Sequence, residues 1–112
     1  MRGDKRRPSY DLEYAKQEVV RGNTHITNRA TNSLTNHGHT NIKQLVQDVF
    51  QAITSDTFDK STLLEYAKPG TYADVYKGVY YDNEEWYVKF YIDEDGANHI
   101  EILSLKPDGS MY

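Results

Sequence analysis

The residues best suited to chemistry are lysines and tyrosines in the second half of the chain. Val88, Phe90 and Ile92 alternate with Tyr87, Lys89 and Tyr91, and successive side chains of a strand point to opposite faces. One set then packs into a core, while the other presents two phenols and an ammonium on an open sheet surface. In the preceding run, Tyr72, Asp74 and Tyr76 share one face by the same alternation. Five lysines, Lys60, Lys68, Lys77, Lys89 and Lys106, fall in this half. Gathered on one face they would make a local phosphate site. The plainer reading of any one of them is an ordinary solvent-side strand residue stabilised by cross-strand pairing.

Other constellations carry less. His37-Gly38-His39 could chelate a metal weakly, but there is no cysteine and a third ligand would have to come from afar, so a solvated loop explains it better and no metal site or cofactor is expected. Asp93-Glu94-Asp95-Gly96 resembles a calcium loop only superficially, because the twelve-residue ligand spacing with its terminal Glu is not met; a hairpin turn accounts for it. No Walker loop, dinucleotide fingerprint or serine-centred nucleophile motif occurs. The basic head from Arg2 to Arg7 reads as a solvated, mobile end.

The elements that must position the lysines follow from periodicity. Ser9-Tyr10-Asp11 offers helix caps, and Leu12, Ala15, Val19 and Val20 recur at helical spacing up to Gly22-Asn23, which predicts a first helix over roughly 10–21. The Thr- and Asn-rich stretch that follows disfavours helix, so only a short one is expected around 28–36. Ile42, Leu45, Val46, Val49, Phe50 and Ile53 form the clearest apolar stripe, a helix over 41–52 capped by Thr40 or Asn41. Thr54 to Ser61 reads as a turn that carries Lys60. From Leu63 the period changes to two, in the runs LLEYA, YADVYKGVYY, EEWYVKFYI and HIEILSL, separated by KPG, DN and DEDGAN. Three or four antiparallel strands result. The fold class is therefore α+β, with N-terminal helices packed on one face of an antiparallel sheet. Ile42, Val46, Val49, Phe50, Val75, Val88, Phe90, Ile92, Leu103 and Leu105 should fill the core.

At 112 residues the chain suits one domain, 1–112, since two would each lack the apolar area to offset their ordering entropy. With no cysteine, neither a disulfide nor a thiolate zinc site can staple it. The charged N-terminus is followed by no apolar signal region, and no run of about 18 apolar residues occurs, so a soluble, cytoplasmic protein is expected. The net charge of -4 counts against a nucleic-acid partner, yet charge is unevenly placed. Before residue 56 there are eight basic and five acidic residues, and from 56 onward five basic and twelve acidic. Whether the later lysines converge decides the matter.

Lys5-Arg6-Arg7-Pro8, Phe58-Asp59-Lys60-Ser61, Asp74-Val75-Tyr76-Lys77, Tyr87-Val88-Lys89 and Ser104-Leu105-Lys106 occur in this order. Together they resemble the MqsR toxins, over nearly the whole chain except residues 24–41, which match by position only. The resemblance implies a RelE-like fold, a toxin of a type II toxin–antitoxin system that cleaves mRNA, and a cognate antitoxin that binds and silences it, with operator DNA reached through the antitoxin. It also implies a catalytic set: the Lys of the Phe-x-Lys-Ser segment, a Gln shortly before Asp-Val-Tyr, the Tyr of Tyr-x-Lys, and the last Lys. Carried over, these are Lys60, Ala73, Tyr87 and Lys106. Ala73 departs from the pattern, since alanine donates no hydrogen bond. Either the enzyme is weaker, or Tyr72 or Asp74 has taken the role, or the toxin is partly disabled.

Metal-free RNA cleavage needs a base for the 2′-OH, cations for the phosphoryl oxygens, and an acid for the leaving 5′-oxygen. Lysine serves as the cation outright, and as a base only where burial or neighbouring cations lower its pKa. Lys60 and Lys106 are accordingly assigned as phosphate clamps and proton-transfer candidates, and Tyr87 as acid or positioner. Tyr76, Lys77 and Lys89 are assigned to the substrate path. The alternative function is a noncatalytic RNA- or protein-binding module on the same scaffold.

Overall fold

In the computed structural model, residues 4–65, 67–94 and 99–108 are described. The elements run β1 (Asp4–Lys5), α1 (Leu12–Val20), β2 (Thr24–Ile26), α2 (Asn28–Asn36), α3 (Ile42–Ala52), a 3-10 turn (Ser55–Thr57), β3 (Phe58–Leu63), β4 (Tyr72–Tyr81), β5 (Glu84–Asp93) and β6 (His99–Pro107). The sheet order is β1-β3-β4-β5-β6-β2. Every pairing is antiparallel except that of β2 with β6, which is parallel.

Local chemistry explains the boundaries. The Asp11 carboxylate accepts from the N–H groups of Glu13 and Tyr14 at 2.9 and 3.2 Å, satisfying two of the donors that a helix start leaves open. Thr27 caps α2 through the Ala30 N–H, and Asn41 caps α3 through the Gln44 N–H, both at 3.2 Å. The β4–β5 hairpin turns on Asp82 and Asn83, both at positive φ (54° and 63°), the conformation of a two-residue turn whose twist suits a hairpin.

The three helices lie on one face of the sheet. Their apolar stripes, including Ala15, Val19, Leu34, Val46, Val49 and Phe50, meet Tyr76, Trp86, Val88, Phe90, Ile100 and Ile102 in one buried cluster. Phe90 sits at its centre, tilted against Phe50 at 5.3 Å and stacked on Tyr76 at 6.1 Å between ring centroids. The α+β arrangement and the helix expected over 41–52 are both present.

Several expectations are corrected. Lys60 lies on a strand rather than in a turn: β3 begins at Phe58 and ends at Leu63, where the LLEYA strand was expected to begin. The connection after it is closed by Leu64 N–H donating to the Thr71 carbonyl at 2.9 Å; Tyr66 of that run lies outside the described residues. Among the described residues the sheet has six strands rather than three or four; β1 and β2, of two and three residues, are too short to show a period in the sequence. Ile42 and Leu103 are half-buried rather than core. Leu103 is displaced by a register shift: Lys89 pairs with Ser104 but Phe90 pairs with Ile102, which hands the core position to Ile102. The expected turn at DEDGAN includes Asp95 to Asn98, outside the described residues, as is Arg2 of the basic head.

Candidate functional site

The alternation of β5 divides as expected. Val88, Phe90 and Ile92 are buried beneath the helices, while Tyr87, Lys89 and Tyr91 lie half-exposed on the opposite face, which none of the helices among the described residues covers. In β4 the phase is the reverse of the one expected. Tyr76 is opposite Val88 and Val75 opposite Lys89, so Tyr76 faces the helices and Val75 the open side. Tyr76 is 1% exposed, packed edge-on against Phe58 and stacked on Phe90. Burial first, and the neighbouring Asp74 second, push its phenol up to about 12. It is a core residue, and its assignment to the substrate path is corrected.

Asp74 shares that inward face and is also fully buried. Its carboxylate accepts from the Ser9 N–H at 2.9 Å and the Tyr10 N–H at 3.0 Å, while Tyr10 donates its hydroxyl to the Tyr72 carbonyl at 2.7 Å. The Ser9 and Ser61 hydroxyls are 2.6 Å apart. The Asp-Val-Tyr segment thus clamps the chain ahead of α1 onto the sheet. Asp74 is engaged in this way, and Tyr72, which shares its side of β4 opposite Leu63 with the Lys5 ammonium 4.1 Å from its ring centre, also faces away from the open face, so neither is placed to take over for Ala73.

On that open face Val75 is flanked in register by Lys60 on β3 and Lys89 on β5. The two lysines are two strands apart, about 10 Å between backbones, with a short side chain between them. Burial lowers the pKa of Lys89 below the ordinary lysine value, and the positive charge of Lys60 lowers it further. This disposes Lys89 to give up its proton, a role the sequence assigned to Lys60 and Lys106. Ala73, also on this face and fully buried, lies beside Thr62.

Tyr87 pairs with Lys106 in the β5–β6 ladder, and the Lys106 ammonium sits 5.2 Å from the centre of the Tyr87 ring. Burial, then the charges of Asp59 and Asp108, raise the Tyr87 pKa, so its hydroxyl keeps its proton and acts as a donor. Lys77 is exposed. It lies in the register shift between Tyr76 and Val79, which places it across from Tyr87, and the Gly78 of that bulge adopts φ 70° and donates its N–H to Asp108 at 3.0 Å. Lys60 faces Asp4 at 4.0 Å across partly exposed side chains, a pair worth little.

Each of the three register shifts in the sheet borders a lysine: Phe58/Lys60, Tyr76/Val79 around Lys77, and Lys89/Phe90. Bulges bend a strand and re-aim its side chains, and they are common beside active sites. Lys60, Lys77, Lys89, Lys106 and Tyr87 thereby share one region of the open face, while Lys68 lies away from it in the β3–β4 connection. Arg29, which sequence reasoning did not single out, lines a cleft of about 180 Å³ with Ser104 and Lys106. Nothing in the residues around it could have flagged it, because only the packing of α2 against β6 brings it there.

Among the described residues no helix is long and apolar enough to cross a membrane. The family described as motility quorum-sensing regulator, toxin of MqsA, matches residues 7–107, a span that holds all three bulges and every lysine of the open face. The chain belongs to the MqsR toxin family, toxins of toxin–antitoxin pairs.

Proposed function

We propose that this toxin is a metal-independent endoribonuclease of RelE-like design that cleaves mRNA in the cytoplasm and is neutralised by a cognate antitoxin. The observation that carries the reading is the gathering of four lysines and a protonated tyrosine around three strand bulges on a helix-free surface. Phosphate is the natural ligand of such a surface.

In this mechanism Lys60 and Lys106 hold the phosphoryl oxygens. Lys89, whose pKa is lowered, takes the proton of the 2′-OH as that oxygen attacks the adjacent phosphorus. The bond from phosphorus to the 5′-oxygen breaks, and Tyr87 or a lysine ammonium supplies the proton to the leaving oxygen, giving a 2′,3′-cyclic phosphate and a free 5′-OH. Lys77 and Arg29 extend the positive path for the strand.

The test is incubation of the purified chain with a defined mRNA in EDTA, with cleavage ends mapped. Lys60→Ala, Tyr87→Phe and Lys106→Ala should each lower the rate on the order of a hundredfold with the fold intact. Lys43→Ala, on the exposed side of α3, should change nothing. Ala73 supports a second reading, a noncatalytic RNA- or protein-binding module: if the parent chain binds RNA without cutting it and Ala73→Gln gains cleavage, that reading holds.

A further inference from the structure

The open face has a second end, and its chemistry differs from that of the lysines. Six residues along β5 from Tyr87, about 20 Å at the rise of a strand, Asp93 pairs with His99 of β6. Glu101 follows on the same face, and His25 of the edge strand β2 is its register partner. One Glu101 oxygen is 2.8 Å from His99 Nε2 and the other is 2.5 Å from His25 Nδ1, while Asp93 Oδ2 is 4.0 Å from His99 Nε2. One ligand atom each from Asp93, His99 and Glu101 lie within 4.8 Å of one another.

We propose that His25, Asp93, His99 and Glu101 form a binding site for one divalent transition-metal ion of the Zn2+ class. Imidazole nitrogen with carboxylate oxygen is a donor set for such ions, whereas Mg2+ and Ca2+ prefer oxygen alone. Bonds of about 2.0–2.2 Å to a tetrahedral ion place ligand atoms roughly 3.3 Å apart. Among Asp93, His99 and Glu101 the separations run from 2.8 Å to within 4.8 Å and bracket that value, so small side-chain rotations would bring these three onto an ion, with His25, 2.5 Å from the second Glu101 oxygen, as the fourth donor. All three central residues are half-buried, and His25 is more exposed. The set joins three strands, so the ion would tie β2, the edge strand between α1 and α2, to the body of the sheet. Sequence spacing does not reveal the site, because His25 is far from the others in the chain and only the pairing of β2 with β6 brings it beside Glu101. Lys89, the nearest lysine of the open face, is four residues along β5 from Asp93, about 13 Å, and does not belong to the ligand set, so the ion would serve as a structural ligand and RNA cleavage would stay metal-independent.

The experiment titrates the full chain, stripped with EDTA and dialysed, with ZnCl2 and separately with MgCl2 by isothermal calorimetry, and follows Tm. One Zn2+ per chain should bind, Mg2+ should not, and Zn2+ at a hundredfold excess over Kd should raise Tm by roughly 10 °C. His99→Ala and Glu101→Gln should each weaken binding at least tenfold and cut the Tm rise at the same Zn2+ concentration to about half or less, with circular dichroism showing the fold retained. His25→Ala should weaken it less, and the double change His37→Ala, His39→Ala should leave it intact. Absence of saturable Zn2+ binding, which would leave a purely hydrogen-bonded imidazole–carboxylate chain, overturns the proposal. So does binding that survives His99→Ala and Glu101→Gln but is lost in the His37/His39 variant.

Discussion

β4 and β5 lie side by side in the middle of the sheet, yet they divide their side chains in opposite senses. β5 sends Val88, Phe90 and Ile92 under the helices and Tyr87, Lys89 and Tyr91 outward. β4 sends Asp74 and Tyr76 inward and keeps Ala73 and Val75 on the outer face. The consequence is functional. The outer side of β4 places the apolar, fully buried Val75 between Lys60 and Lys89, and polar residues on its inner side hold the Ser9–Tyr10 segment through hydrogen bonds that a purely apolar strand could not make. A strand that looks as if it displays its tyrosines and aspartate is instead the anchor, and its neighbour carries the chemistry.

The largest effect that separates the two strands is one of stability. Tyr76→Ala should destabilise the fold by about 3–5 kcal/mol, as for other large aromatic truncations in a core, whereas Tyr87→Phe should stay within about 0.5 kcal/mol. Urea unfolding of the two variants measures this. Equal losses would mean that the phase of β4 is not the one described.

Asp74 sharpens the contrast through pH. Burial raises its pKa above the ordinary 3.8, against the lowering by the Ser9 N–H, the Ser61 hydroxyl and the Tyr10 N–H. The folded state therefore holds this proton more tightly than the unfolded chain. The stabilisation is fully present below 3.8 and is lost as pH rises from there through the raised folded value. The stability of the parent relative to Asp74→Asn should decline across that window, measured by urea midpoints at stepped pH; a flat difference would show that the carboxyl is not desolvated.

The smallest effect lies on the outer face. Lys60→Ala removes a like charge from beside Lys89, so the Lys89 pKa should rise while remaining below the ordinary 10.5 because burial, the larger cause, persists. Side-chain NMR titration reads this directly. An unchanged Lys89 would place the two ammonium groups too far apart to act on one phosphate.

Much of this was legible in the residues. The stripe from Ile42 to Ile53 could bury itself only as a helix, and Asn41, Thr27 and Asp11 cap where caps were expected or stand beside the expected start. The alternation of β5 separated core from surface because its two sets differ sharply in polarity. In β4 they do not: Tyr76 and Val75 can each face either way, and only the pairing of Val75 with Lys89 settles the phase.

What the sequence by itself determined is the class of fold, the helices, the long strands and the family, since these rest on local periodicity and on the order of short segments. The tertiary structure decided the placement of Lys60 on a strand, the inward turn of Tyr76, the approach of Arg29 to Lys106 and the meeting of His25 with Glu101. Each of these depends on contacts between residues distant in the chain, and strand register is further altered by bulges, which re-aim the side chains beside them. A period read along one strand carries no information about its neighbour's register.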